Sequence, residues 1–253
     1  MRINATTRVS FQYDKLTLNL PEGWHELSQR ELLRVYICIG VFDVDRLSLG
    51  VFSSITGIRI IREVSDSEFL CYYSADKRKF IISSMQMSDV LDSLSWLFTP
   101  GNVPVRLDEM NGVKAVDASL HGVRFSDYLA LENSYQGYLH SKQERALRGA
   151  AAILYPGMDV SSPLSELNVL NILQWCVQIK NMFAGIFVNL FKSDGTGGDV
   201  SPLEVMNNQI RALTGGDVTK EDTVFNTDCW RALTELDFKA KEAEDFKASL
   251  PKK

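Results

Sequence analysis

The residues of this chain that could do chemistry are three histidines, four cysteines, a glycine-rich run and scattered carboxylates. His25, His121 and His140 have no second histidine or carboxylate at metal-ligand spacing, so the sequence offers no metal motif. Cys38, Cys71, Cys176 and Cys229 lie far apart among apolar or aromatic neighbours. That pattern fits neither a zinc knuckle nor a disulfide framework, and predicts free, buried thiols in a reducing compartment. A Cys-His pair assembled across the fold would need no local signature, and none favours it here.

Asp194-Gly195-Thr196-Gly197-Gly198-Asp199 could cradle a phosphate, because consecutive backbone amides ahead of a helix bind anions. It lacks a following Gly-Lys-Ser or Gly-Lys-Thr. Two aspartates flank the glycines and repel phosphate, and the preceding segment reads as helix instead of strand. A flexible linker is the expected role. Asp43, Asp45, Asp108 and Glu109 sit in polar or turn contexts and read as solvated charge. No catalytic residue, cofactor site or metal ligand is assigned, and the chain is expected not to be an enzyme.

The segment from Leu167 to Phe191 stands apart. Asn171, Gln174, Gln178, Asn181 and Gly185 recur at spacings of three and four, making a narrow uncharged stripe on an otherwise apolar helix. Trp175, Phe183, Phe187 and Phe191 crowd the rest of the circumference. A helix so apolar must be covered on nearly all sides, either as a central core helix or as a face for self-association or for an apolar client helix. Trp175, Gln178, Phe183, Phe187, Phe191 and, on the last helix, Trp230 are the expected partner-binding residues.

Composition limits the partners. A chain of 253 residues with 45% apolar content fills a sizeable core, and a formal charge of -5 gives no reason to approach nucleic acid or an acidic membrane. Lys180 and several amides interrupt the most apolar stretch, which falls short of a membrane span. Met1 to Tyr13 lacks the apolar core of a signal peptide, so export is not expected.

The elements that must position these residues are α+β. Val9, Phe11 and Tyr13, then Leu16, Leu18 and Leu20, alternate about a turn at Asp14-Lys15 and predict a hairpin. Ser28 with Glu31 is a capping box opening a helix that stops near Gly40, and a second helix is expected from Asp43 to Thr56. Strands follow at Phe69–Tyr73 and Lys79–Ile82, then a helix from Met87 to Phe98. A second hairpin is expected, with Val103–Leu107 and Val113–Val116 around Asn111-Gly112, Pro104 marking an edge strand. The chain turns helical from Ser126. A capping box at Ser141–Glu144 opens a helix running to Tyr155-Pro156-Gly157.

From Ser162 onward only helices are expected. Gly197-Gly198-Asp199-Val200-Ser201 and Gly215-Gly216-Asp217-Val218-Thr219 separate them, with Ser201 and Thr219 as N-caps. The last helix carries Trp230, Leu233, Leu236, Ala240 and Ala243 on one stripe, with Glu235–Lys239 and Asp237–Lys241 pairs outside. The tail beyond Ser249 is expected to fray. The organisation reads as an α+β hairpin and helix region at 1–101, a hairpin plus helical pair at 102–160, and an all-helical region at 161–253.

Three pieces of the chain resemble tail-assembly proteins of Bacteroides-group bacteriophages, the tape-measure chaperones. They are Leu20-Pro21 with Trp24, Leu27 and Ser28; Phe125-Ser126-Asp127-Tyr128 with Ala151-Ala152-Ile153-Leu154-Tyr155-Pro156; and Leu213 to Asp222 followed by the Trp230 helix. The resemblance implies a non-enzymatic factor in the cytoplasm of a bacterial host, shielding a long helical client. It supplies no catalytic residues and no cofactor. The rival readings are a virion connector or tail protein forming a stable homo-oligomer, and a small cytosolic enzyme of unrecognised type.

Overall fold

The computed structural model describes residues 9–13, 16–192 and 202–249. Asp14-Lys15, the glycine run at 194–199, Ser201 and the tail beyond Ser249 lie outside them, with the expectations attached to each. The fold is α+β. The chain divides into two units, Met1–Leu107 and Asp108–Lys253.

The first unit opens with strands β1 (Val9–Tyr13) and β2 (Leu16–Leu20), antiparallel with Val9 opposite Leu20. After a single 3-10 turn at Trp24–Glu26 comes α1 (Gln29–Val41). Its start is fixed by Ser28, whose hydroxyl accepts from the Glu31 amide while the Glu31 carboxylate accepts from the Ser28 amide. That satisfies amides that a bare helix end leaves open. Helix α2 (Val44–Thr56) is capped by the Asp43 carboxylate and ends on Gly57 in the left-handed region, φ 74°. Leu32, Val35 and Tyr36 of α1 and Val51 and Phe52 of α2 are buried.

Three antiparallel strands follow in sequential order, β3 (Ile58–Ser65), β4 (Glu68–Tyr73) and β5 (Arg78–Ser83). Sequence pattern does not reveal β3, because register shifts at Ile60/Arg62 and Glu63/Ser65 break its apolar alternation. The helix expected over Met87–Phe98 is α3 (Ser84–Ser93) plus a 3-10 turn at Ser95–Phe98; Ser83 and Gln86 form a capping box that starts it earlier. Two indoles tie the ends of this unit together: Trp24 Nε1 donates to the Thr99 carbonyl (2.8 Å) and Trp96 Nε1 to that of Pro21 (2.9 Å). Their rings meet edge to face at 5.2 Å.

In the second unit the expected hairpin shrinks to β6 (Glu109–Met110) and β7 (Val113–Lys114), and Val103–Leu107 forms no strand. The turn itself is as expected, with Asn111 (φ 52°) and Gly112 (φ 80°) both left-handed. Helix α4 (Phe125–Ser141) ends on left-handed Lys142. The Ser141 hydroxyl donates back to the Gly137 carbonyl, so it caps no following helix; a 3-10 turn at Glu144–Leu147 leads into the short α5 (Arg148–Leu154). Glu144 instead accepts from Arg148 at 3.1 Å and from the Leu164 amide at 2.7 Å.

Helix α6 (Glu166–Ile186) starts at the Ser165 cap. Helices α7 (Pro202–Thr214), α8 (Glu221–Phe225) and α9 (Cys229–Ser249) complete the unit. The cap after Gly215-Gly216 is Asp217, accepting from the Thr219 amide and hydroxyl, and not Thr219. Residues of α4, α5, α6, α7 and α9 share one core, so the stretch 108–160 and the helices that follow it pack together.

Replacing Ser28 by Ala removes the first-turn acceptor of α1. The variant is expected to lose about 1 kcal/mol in urea unfolding.

Candidate functional site

Most of the apolar excess read from Leu167–Phe191 is used inside the chain. Trp175, Gln178 and Phe183 are fully buried and Phe187 nearly so, which corrects their assignment to a partner-binding face. They form an aromatic core with Trp230, which is only partly buried: Phe183 and Phe187 lie 5.3 and 5.7 Å from its ring, and Tyr128 lies 5.6 Å from Phe183. The polar stripe also turns inward at its start, where Asn171, fully buried, donates to the Tyr155 hydroxyl at 2.7 Å. Asn181 and Gly185, farther along, are exposed.

The loop at 117–124 holds this arrangement in place. Trp175 Nε1 donates to the Ala118 carbonyl (2.7 Å) and Trp230 Nε1 to the Ser119 carbonyl (2.6 Å). The Asp228 carboxylate accepts from the Gly122 amide at 2.7 Å, and an isolated antiparallel bridge joins Arg124 to Asp228. His121 stacks on Trp230 at 4.5 Å. Leu120, wholly buried, sits at φ 64°.

Phe191 alone of the expected set faces outward, at 39% exposure, and it lines a groove of about 760 Å³. The other walls come from α4, α6, α7 and α8, represented by Leu129, Ala184, Leu203, Met206 and Phe225. Leu203 is 61% exposed. One wall carries a Glu132–Lys180 ion pair, with Gln136 donating to Glu132 and the Lys180 ammonium lying 5.5 Å from the Tyr135 ring centre. The paired charges leave a groove that is mainly apolar and carries no net charge of its own at that wall. Ser126, Leu129 and Asn133 on α4, and Asn181 and Ala184 on α6, line it at helical spacing. Such ridges are what an incoming helix interdigitates with.

The turn after α6 is fixed from α9. The Asp237 carboxylate accepts from the Asn189 amide and side chain and from the Leu190 amide, at 2.8–2.9 Å. Burial raises its pKa, but the hydrogen bonds from Asn189 and Leu190, with Lys241 nearby, outweigh that and hold it below the ordinary aspartate value. The Asp237–Lys241 relation expected on the outer face is thus secondary to this clasp, while Glu235 and Lys239 pair at 3.5 Å as expected. The stripe of α9 is buried only as far as Leu236; Ala243 is exposed.

All four thiols are free and buried, and burial pushes Cys71 to about 11 and Cys176 and Cys229 to about 12. They are protonated at neutral pH, which makes them poor nucleophiles. His25, His121 and His140 are exposed. Among the described residues no group of three or more His, Cys, Asp or Glu side chains is placed to hold a metal ion, and no helix is long and apolar enough to cross a membrane. No protein family, curated protein or solved structure matches this chain.

Two outcomes follow from core and clasp. Phe183→Ala is expected to cost about 3–5 kcal/mol in chemical denaturation, and Phe191→Ala less than about 1 kcal/mol. Because the folded Asp237 pKa lies below its unfolded value, its contribution is complete above the ordinary aspartate range and is lost as pH falls through the folded value. Asp237→Asn should therefore be less stable than the parent at pH 7 and show a shallower loss on acidification, followed by thermal melts across pH.

Proposed function

We propose that this protein is a non-enzymatic binding factor whose second unit receives an apolar helical segment of a protein client, in the manner of a tail-assembly chaperone. The observation that carries this reading is the groove beside Phe191. Its walls are helices presenting residues at three- and four-residue spacing, its lining is mainly apolar, and Glu132 and Lys180 neutralise each other at one wall. An incoming helix with an apolar stripe fills such a groove without stranding a charge.

The resemblance to phage tape-measure chaperones supplies the class of client, a long helical protein. The residues that carry it are largely packing positions. Trp24, Phe125, Tyr128, Ala151, Leu154 and Tyr155 are buried, and Gly215 and Gly216 end α7 in left-handed conformations. They are packing and turn positions of this chain, and the groove adds the place where a client would sit.

Ala184 is exposed on the groove wall, so Ala184→Glu introduces a carboxylate without touching the core. Co-expressed with a long helical protein of the tape-measure type, the parent chain is expected to keep that client soluble and to co-purify with it. Ala184→Glu should reduce recovery at least about tenfold, equivalent to 1.4 kcal/mol of binding. Failure of the parent chain to retain the client, or equal retention by parent and variant, overturns the reading.

A further inference from the structure

Helix α1 has a second apolar face. Leu32, Val35, Tyr36 and Cys38 are buried, yet Leu33 (38% exposed), Ile37 (49%) and Val41 (69%) project outward at intervals of four. Val44, at the start of α2, is 70% exposed. Gly40 lies on the same side, and a Cβ built there meets nothing within 4 Å. Isolated apolar residues on a surface are ordinary, but a continuous stripe along one helix needs a partner.

From this pattern we infer that α1 pairs with α1 of a second copy of this chain, antiparallel about a two-fold axis at Ile37. The stripe is self-complementary about that residue. An antiparallel pairing centred there places Ile37 against its own copy and Leu33 against Val41, and Gly40, with no side chain, leaves room for close approach. The charges agree with that direction. The amino-terminal end of α1 carries Arg30, Glu31 and Arg34, one net positive charge; the other end leads into Asp43, Asp45 and Arg46, one net negative. Antiparallel packing sets each Arg30 beside the Asp43–Asp45 turn of the other copy, and the helix dipoles align favourably in the same arrangement. Parallel packing would oppose like ends.

Sedimentation equilibrium of the full chain at about 100 μM, a concentration that populates even a weak dimer, is expected to give twice the 28.5 kDa chain mass. Ile37→Asp should return the chain mass with an unchanged far-ultraviolet circular dichroism spectrum, since the side chain is half exposed. Arg30→Asp should weaken association about fivefold, and adding Asp45→Arg should restore it. A monomeric parent, an Ile37→Asp variant that still dimerises, or a charge pair that fails to rescue overturns the proposal. The Ala184→Glu groove variant should dimerise like the parent, so the two readings fail separately.

Discussion

Two indole N–H groups set the shape of the second unit by bonding adjacent carbonyls. Trp175 and Trp230 come from helices far apart in the chain, and both donate into the loop at Ala118 and Ser119. A buried indole without an acceptor is costly, so each ring is confined to the orientation that reaches its carbonyl. The loop is confined in return. Leu120 is held left-handed, a conformation that costs about 1–2 kcal/mol outside glycine, and its complete burial offsets that strain.

This confinement decides what α6 can offer to a partner. With Trp175, Ile179 and Phe183 turned toward the loop and α9, the side of the helix bearing Lys180, Asn181 and Ala184 is left to form a groove wall. The Asp237 clasp then fixes Asn189 and Leu190, and with them the turn leading to Phe191. The groove therefore depends on core packing at one end and on a single carboxylate at the other.

Local chemistry was legible wherever one residue decides the outcome. Ser28 with Glu31, Asp43 at the start of α2 and Asn111-Gly112 act through bonds spanning a few residues, and each stands where its sequence implied. Features set by distant partners were not legible. Strand β3 pairs with β4 through bulges that scramble its pattern. Ser141 is a local exception: it follows the capping-box spelling but spends its hydroxyl on the Gly137 carbonyl of the helix behind it. The apolar excess of α6 was visible, but its direction was not, because burial of Gln178 and Asn171 inverts the usual inference that amides face water. The groove residues on α7 gave no warning, since Leu203 and Met206 acquire meaning only beside α4.

The bridge between Arg124 and Asp228 spans most of the second unit in sequence, as does the bond from Trp230 to Ser119. Helix α4 and the loop before it therefore leave the ribosome well ahead of the residues that lock them. During that interval the aromatic surface later covered by Trp230 has no lid, and ordering of this unit must wait until Asp228 and Trp230 have been synthesised.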